Sequence, residues 1–433
     1  MTRFDRIERV MPALLDDLAV GPPTDYLDEV LGVTAATSQR PAWTFLQRWL
    51  PMSDLTYRAT FGSSIRLQLL LVVAFLILCM LGVATVIGGM APDDERLNLF
   101  EPGRSGLVAF ETSGDIRGGD PATGLVNQLV AGPAVDRLPA WSLDGRQLAF
   151  IRLVDVGLGA LYVIDTQGAA PVLVRPDAFP LVTGLAWSPD GRSILVSWMR
   201  GTRPVVSLVD VRTGTTTDLR YEQSVTAASF RPPDGREIMF VGGEPGSSGG
   251  QGIFAYDRAT GTIRTIVEQV PGAIVQGEPT WSPDGSRLAY AISVRRETSR
   301  AFTVSAEGGE PRPVNAPGDT ASESGPAWAH DGTHVALIRW YENGAVVAVV
   351  DPREGGEGVE TPIPEMGSAG SRRPPRNLVA SLLWAPDDSR LLVRPLLASG
   401  VPARQVLIDP WAGSAVPLSW VSTSDPAWQR LEP

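Results

Sequence analysis

From about residue 105 onward the chain alternates short apolar runs with clusters of Gly, Pro, Asp and Ser. The runs are of strand length and the clusters form turns, which predicts an all-β region. One pattern recurs through it. An apolar run ends in an aromatic residue, a Ser-Pro-Asp-Gly-like turn follows, and a second apolar run pairs back, as in LAWSPDGRSILVSW from Leu185. The aromatic falls at Trp141, Trp187, Phe230, Trp281, Trp328, Trp384 and Trp428, roughly 43 to 56 residues apart. The turns supply Asp144 and Gly145, Asp190 and Gly191, Asp234 and Gly235, Asp284 and Gly285, and Asp331 and Gly332. Pro presets φ, Asp bonds its own backbone, and Gly takes the left-handed position. A third run often ends in Asp, at Asp165, Asp210, Asp257, Asp351 and Asp409, and is followed by a Gly-bearing turn and a fourth run. A four-stranded antiparallel unit repeating at this period predicts propeller blades, each stable only when stacked on its neighbours.

The count predicts seven blades. The second strand first occurs at Leu107 to Phe110 with no aromatic strand before it, and the last aromatic strand, around Trp428, has nothing after it. Pairing the two closes the ring and removes the exposed edges. Six blades is the alternative, because the first blade looks degenerate after Phe110. The propeller is expected over 105–430. Pro352 to Arg376 reads as an insertion at its rim.

Ahead of the propeller, Leu67 to Ala91 carry no charge. A bilayer core needs about 20 apolar residues as helix, so residues 65–90 are expected to span a membrane as an uncleaved signal anchor. It starts too late for an ordinary cleaved signal peptide. Arg48, Arg58 and Arg66 precede the span, and Asp93, Asp94 and Glu95 follow it. The positive-inside rule places the N-terminus in the cytoplasm and the propeller outside it. Residues 1–62 are expected to form two short helices, over 3–19 and 24–37, and a linker. These cannot bury much core alone and need the membrane or a partner. Residues 91–104 would be a stalk.

Composition narrows the chemistry. The chain has 433 residues, 45 Gly, 37 Pro and one Cys, which lies inside the expected span at Cys79. That excludes a disulfide framework and a multi-thiolate metal site. With two His, a three-His zinc site is impossible. The basic residues are all Arg, which excludes a Walker A or Schiff-base lysine. A net charge of −11 argues against general nucleic-acid binding.

The AWSPDG-x-x-[LI]-[AL]-[FVY] repeat resembles the TolB-type propeller repeat, which is also found in the propellers of prolyl oligopeptidase-like peptidases. The resemblance covers residues 105–430. It departs at Leu143 and His330, in place of the turn Pro, and at Asp388, in place of the Gly. It implies a binding platform. The order of a short helical piece followed by one span resembles bacterial transmembrane anti-sigma factors, although their His-Cys-Cys zinc motif is absent.

Candidate chemistry is sparse. Gly246 to Gly250 matches GxSxG, but in a loop rather than a strand-to-helix elbow. His330 and His334 flank a hairpin turn and read as structural. The turn aspartates repeat with the blades and also read as structural, against a ring of carboxylates holding a cation. Arg372 to Arg376 could meet an acidic partner but read as solvated loop. No catalytic, cofactor or metal residues are expected. A prolyl oligopeptidase-type activity would need a further α/β domain, and this chain is not expected to supply one. The leading expectation is a non-enzymatic, single-pass membrane protein whose outer propeller binds a protein, peptide or envelope ligand. The alternatives are a signalling regulator whose residues 1–62 hold a sigma factor, and a hydrolase or lyase using the propeller channel.

Overall fold

A computed structural model of the chain describes residues 102–432, apart from 167–169, 220, 222–223, 244–248, 295–297, 315–320, 342–343, 354–357, 368–380 and 396–403. The expected N-terminal helices, the membrane span and residues 91–101 of the stalk lie outside the described residues. Among the described residues no helix is long and apolar enough to cross a membrane.

Seven antiparallel sheets follow one another along the chain, each built on four strands. Blade two runs outward through Asp136–Trp141, Gln147–Asp155, Leu158–Asp165 and Val172–Leu173, with Phe179–Pro180 added to its third strand. Blade three is Val182–Trp187, Ser193–Arg200, Arg203–Asp210 and Thr216–Asp218. Blade four is Val225–Phe230, Glu237–Gly243, Gln251–Asp257 and Ile263–Val270. Blade five has a split inner strand, Ala273–Val275 and Thr280–Trp281, then Arg287–Val294, Arg300–Ser305 and Arg312–Pro313. Blade six is Ser322–Trp328, Val335–Tyr341, Gly344–Val350 and Val359–Gly367. Blade seven is Ser381–Trp384, Leu391–Arg394, Arg404–Asp409 and Ser414–Val421.

Blade one closes the ring. Its outer strands, Arg104–Thr112, Asp115–Gly119 and Val126–Val130, come first in the chain, and its inner strand, Ala427–Leu431, comes last. Trp428 lies opposite Val108 and Ala427 opposite Ala109. Seven blades are therefore present and six are excluded. The first blade is not degenerate after Phe110. Its two outer strands escape the β pattern because Gly118 and Gly119 leave no side chain to read, and a Cβ on Gly119 would lie 2.7 Å from the Trp420 ring. The expected stalk gives way to strand at Arg104. Within the expected rim insertion, Val359–Gly367 is the fourth strand of blade six. Its prolines, Pro362 and Pro364, fit an edge strand, which needs no donor on its open side.

The second strands read as unbroken apolar runs because a neighbouring blade covers each of their faces. Leu148 to Ile151, Ile194 to Val196, Ile238 to Val241 and Val335 to Ile338 are all essentially inaccessible. The core is divided into seven clusters, one at each blade-to-blade interface. Each holds the repeat aromatic of the following blade. Trp384 packs with Ile338, Val347 and Val349 of blade six, for example, and Trp428 joins Leu392 and Leu407 of blade seven. Trp187 Nε1 also donates to Ala140 O of the preceding blade at 2.9 Å, and Trp384 Nε1 to Ala327 O at 3.0 Å.

Truncating one of these wedges should open an interface. Trp384→Ala is expected to cost about 3–5 kcal/mol, read as a lower urea midpoint of unfolding.

Candidate functional site

The two ends of the blades differ. At one end sit the turns joining strands one to two and three to four, and among the described residues two kinds of Asp-bearing turn recur there. In the first kind, Asp144 Oδ1 accepts from Ser142 Oγ at 2.6 Å and from Arg146 N at 3.1 Å. Asp190 and Asp284 repeat this with Ser188 and Arg192, and with Ser282 and Ser286. Asp234 and Asp331 each accept from the backbone two residues on. The turn glycines Gly145, Gly191, Gly235, Gly285 and Gly332 all have φ between 65 and 69°. At two of them the neighbouring blade adds a second demand. A Cβ on Gly145 would meet Arg430 O at 1.9 Å, and one on Gly285 would meet Pro232 O at 2.0 Å. The turn aspartates thus satisfy their own turns, and the turns of successive blades abut.

The second kind of turn on this end is the Gly-bearing turn expected after the Asp that ends the third run, and the structure adds how that Asp holds it. Asp210 Oδ1 accepts from the backbone N–H of Arg212 and Thr213, Asp257 Oδ1 from Ala259 and Thr260, and Asp409 Oδ1 from Trp411 and Ala412. The signal was the repeated DxxTG in DVRTG and DRATG.

Both histidines lie here too. Asp388, where the repeat has Gly, keeps the left-handed backbone at φ 55°. Its carboxylate accepts from the backbone N–H of His330 and Asp331, each at 2.8 Å, and meets His330 Nδ1 at 2.8 Å. His334 Nδ1 meets Thr333 Oγ1 at 2.6 Å, and its ring lies edge-on to Trp411. These contacts clamp blade seven to blade six. Among the described residues no group of three or more His, Cys, Asp or Glu is placed to hold a metal ion. Residues 246–248 of the GxSxG stretch, and Arg372 to Arg376, lie outside the described residues.

The opposite end carries the loops that join strands two to three and each blade to the next. These loops differ in length and composition. Beneath them lies a set of ion pairs, each with at least one buried partner. Asp136, fully buried, takes Arg152 Nε and Nη2 at 2.7 and 2.8 Å. Glu111 takes Arg137 Nε at 3.2 Å. Glu323, also fully buried, accepts from Arg339 Nε at 3.2 Å and from Ala301 N at 2.9 Å. Burial pushes the Glu323 carboxyl up, and the Ala301 N–H and Arg339 pull it back down in part. Asp425 takes both Nε and Nη2 of Arg394, at 3.0 and 2.6 Å, tying blade seven to the closing strand.

The inner strands line the axis and carry bulges with left-handed residues at Leu138, Ala227, Gly277 and Gly325. Gly325 N donates to Gln276 O at 3.3 Å, joining blades five and six beside the channel. Glu278 follows this bulge. It is open to channel water yet ringed by protein. Desolvation pushes its carboxyl above the usual range, and Asp425 pushes it the same way. Asp425 precedes the inner strand of blade one, so this coupling crosses the channel. Glu278 gave no signal in the sequence, because its environment exists only once the ring has closed.

Two expected outcomes follow from these sites. Asp388→Ala loses three contacts and keeps a strained backbone, whereas Asp388→Gly loses the same contacts and relieves the strain. The Ala variant should be the less stable of the two by about 1 kcal/mol, measured by urea unfolding. Glu278 binds its proton more tightly in the folded chain than in the unfolded one, so it lowers stability at neutral pH. That loss disappears as pH falls through the raised folded value towards the unfolded one near 4. Glu278→Gln should therefore raise the melting temperature at pH 7.5 and leave it unchanged near pH 4, as read by calorimetry.

A sequence model described as the TolB beta propeller domain (PD40) matches residues 154–363, which run from blade two into blade six. The Tol-Pal system protein TolB of Alcanivorax borkumensis is 38% identical over 78 residues, 18% of this chain and 17% of that protein. An uncharacterized peptidase of Bacillus subtilis strain 168 is 27% identical over 160 residues, 36% of this chain and 22% of that one. The chain therefore matches about a fifth of the length of these two relatives. Among solved structures, an oligogalacturonate lyase from Vibrio parahaemolyticus superposes with a TM-score of 0.54 at 15% identity, over 73% of this chain and 86% of that one. A prolyl endopeptidase superposes with a TM-score of 0.53 at 15% identity, over 79% of this chain and 54% of that one. At such identities the likeness to these structures is one of fold. The chain carries a TolB-like β-propeller domain, folded as a seven-bladed ring.

Proposed function

We propose that this chain is a non-enzymatic binding protein whose propeller docks a protein or peptide on its loop-bearing face. The observation that carries this reading is the inequality of the two ends. On the turn end, the repeat carboxylates are spent on their own turns, and successive turns abut. The loop end presents unlike loops above ion pairs that hold their bases, the usual division between rigid scaffold and specific surface. The TolB-like domain supports a protein as the ligand. The ion pairs also favour binding over catalysis, because Asp136, Glu323 and Asp425 are each engaged by an arginine rather than held ready for substrate.

The apolar stretch over 65–90 supports the further reading that the propeller is tethered to the cytoplasmic membrane and faces outward. The likeness in fold to a lyase and to peptidases makes a channel hydrolase or lyase the competing reading, and it differs in what it requires of Glu278 and Asp425.

Photo-crosslinking of the full-length chain in bacterial cells separates the two ends. A benzophenone side chain at Val156, on the loop end, should yield discrete protein adducts, and one at Gly191, on the turn end, should yield none. Adducts from Gly191 alone would refute the assignment.

A further inference from the structure

The rim of the loop face between blades two and three differs from the other rims. Among the described residues, only blade two has an added strand on its third strand. Phe179–Pro180 pairs with Leu158 and Gly159 and carries the chain up to the loop face. A cleft of about 550 Å³ lies alongside it. Its floor is Phe179 and Trp198, with ring centroids 5.8 Å apart. Both rings are almost fully buried and need no further packing.

Two guanidinium groups stand over that floor. Arg175 Cζ lies 4.5 Å from the centre of the Phe179 ring, and Arg200 Cζ lies 4.8 Å from that of Trp198. Arg200 is fixed from behind by a relay. Trp198 Nε1 donates to Ser207 Oγ at 2.8 Å, Ser207 Oγ donates to Asp218 Oδ1 at 2.6 Å, and Asp218 Oδ2 accepts from Arg200 Nη2 at 2.6 Å. Arg175 meets the edge of a well-exposed carboxylate, Asp177, at 3.4 Å, and its charge also reaches Asp218. A guanidinium carries five N–H donors in a planar fork that matches a carboxylate. Here the forks are set in place by aromatic faces, so little side-chain entropy remains to be lost on binding.

Exposed apolar side chains stand beside the cleft. Val156, at the tip of the hairpin between the second and third strands of blade two, is 97% exposed, and Leu181 is 58% exposed. Leu181 follows the cleft residue Pro180 and is held at φ 40° by donating its N–H to Gly157 O at 2.7 Å. A leucine in that backbone region costs about 1–2 kcal/mol, and more than half of its surface stays exposed. Strain and exposed apolar surface at one spot are the marks of a contact site.

We infer that this cleft docks an extended protein segment in which large apolar side chains flank a carboxylate. The apolar groups would cover Val156 and Leu181, and the carboxylate would bridge Arg175 and Arg200. The inference rests on the reading that the loop face docks a protein, and it adds the place and the chemistry. In a protein of net charge −11, two oriented guanidinium groups give an acidic segment a local reason to settle here, with the weak Asp177 contact as the one displaced. A free carboxylate ligand would use the arginines without the apolar tips.

The test uses the full-length chain in detergent and the fluorescein-labelled peptide Gly-Ser-Leu-Val-Glu-Leu-Gly-Ser, followed by fluorescence anisotropy. The expected result is binding about 10-fold tighter than that of the same peptide with Gln in place of Glu. Arg175→Gln should weaken the Glu peptide about 10-fold and leave the Gln peptide unchanged. Val156→Ser and Leu181→Gly should weaken both peptides several-fold. Leu181→Gly should not lower the melting temperature, so a loss of binding there is not a loss of fold. Several results would overturn the inference: no binding, equal binding of the two peptides, indifference to Arg175→Gln, or glutarate competing as well as the peptide. If Arg394→Gln abolishes binding while the rim variants leave it intact, the segment docks at the channel mouth. The rim assignment then fails and the loop-face reading stands. Photo-crosslinks confined to the turn end would remove both.

Discussion

The structure depends on apolar packing between neighbouring blades. No blade has a core of its own. Each of the seven apolar clusters lies between two sheets, and each is wedged by the aromatic residue that ends an inner strand. A stack of this kind has two open ends unless it closes on itself. Here the closing strand is Ala427–Leu431, laid against Arg104–Thr112, and its Trp428 fills the last interface. Closure turns seven marginal sheets into one ring and brings the charge of Asp425 within reach of Glu278.

The same constraint sorts polar residues by position. On the turn end the repeat aspartates of the one-to-two turns accept hydrogen bonds from their own turns, while Asp388 reaches the previous blade and Glu307 of blade five pairs with Arg231 of blade four. On the loop end carboxylates act between elements, as in Arg394 with Asp425 and Arg152 with Asp136. The Arg152–Asp136 pair, whose carboxylate is fully buried, adds little net stability against desolvation, and removing one partner is costly. The value of these pairs is geometric, because they fix where each loop leaves the scaffold. The arginine-over-aromatic pairs between blades two and three do the same on the rim, with Ser207 and Asp218 behind them.

What could be read in the sequence was whatever repeats. Trp141 through Trp428 announced the blade number, and the terminal position of Trp428 announced how the ring closes, because packing between blades demands one wedge per blade. Features that break the repeat were harder to read. Blade one looked incomplete because Gly119 makes room for Trp420 and Gly118 for Leu129 and Leu107, instead of presenting side chains. Asp388 looked like a lost glycine. It is a clamp that holds two backbone N–H groups of the previous blade. Glu278 and Leu181 carried no sequence signal, since one owes its raised carboxyl to an environment made by the fold and the other owes its strain to a backbone contact with Gly157.

Closure is the claim on which the rest stands, and a designed disulfide tests it most directly. Ala109 and Ala427 are opposed across the closing pair of strands. With Cys79 replaced by Ser, Ala109→Cys and Ala427→Cys should form an intramolecular bridge under mild oxidation, seen as a faster-migrating monomer, and should raise the midpoint of urea unfolding. Thiols that stay free in the folded protein, or bridges found only between separate chains, would contradict a ring closed by its last strand.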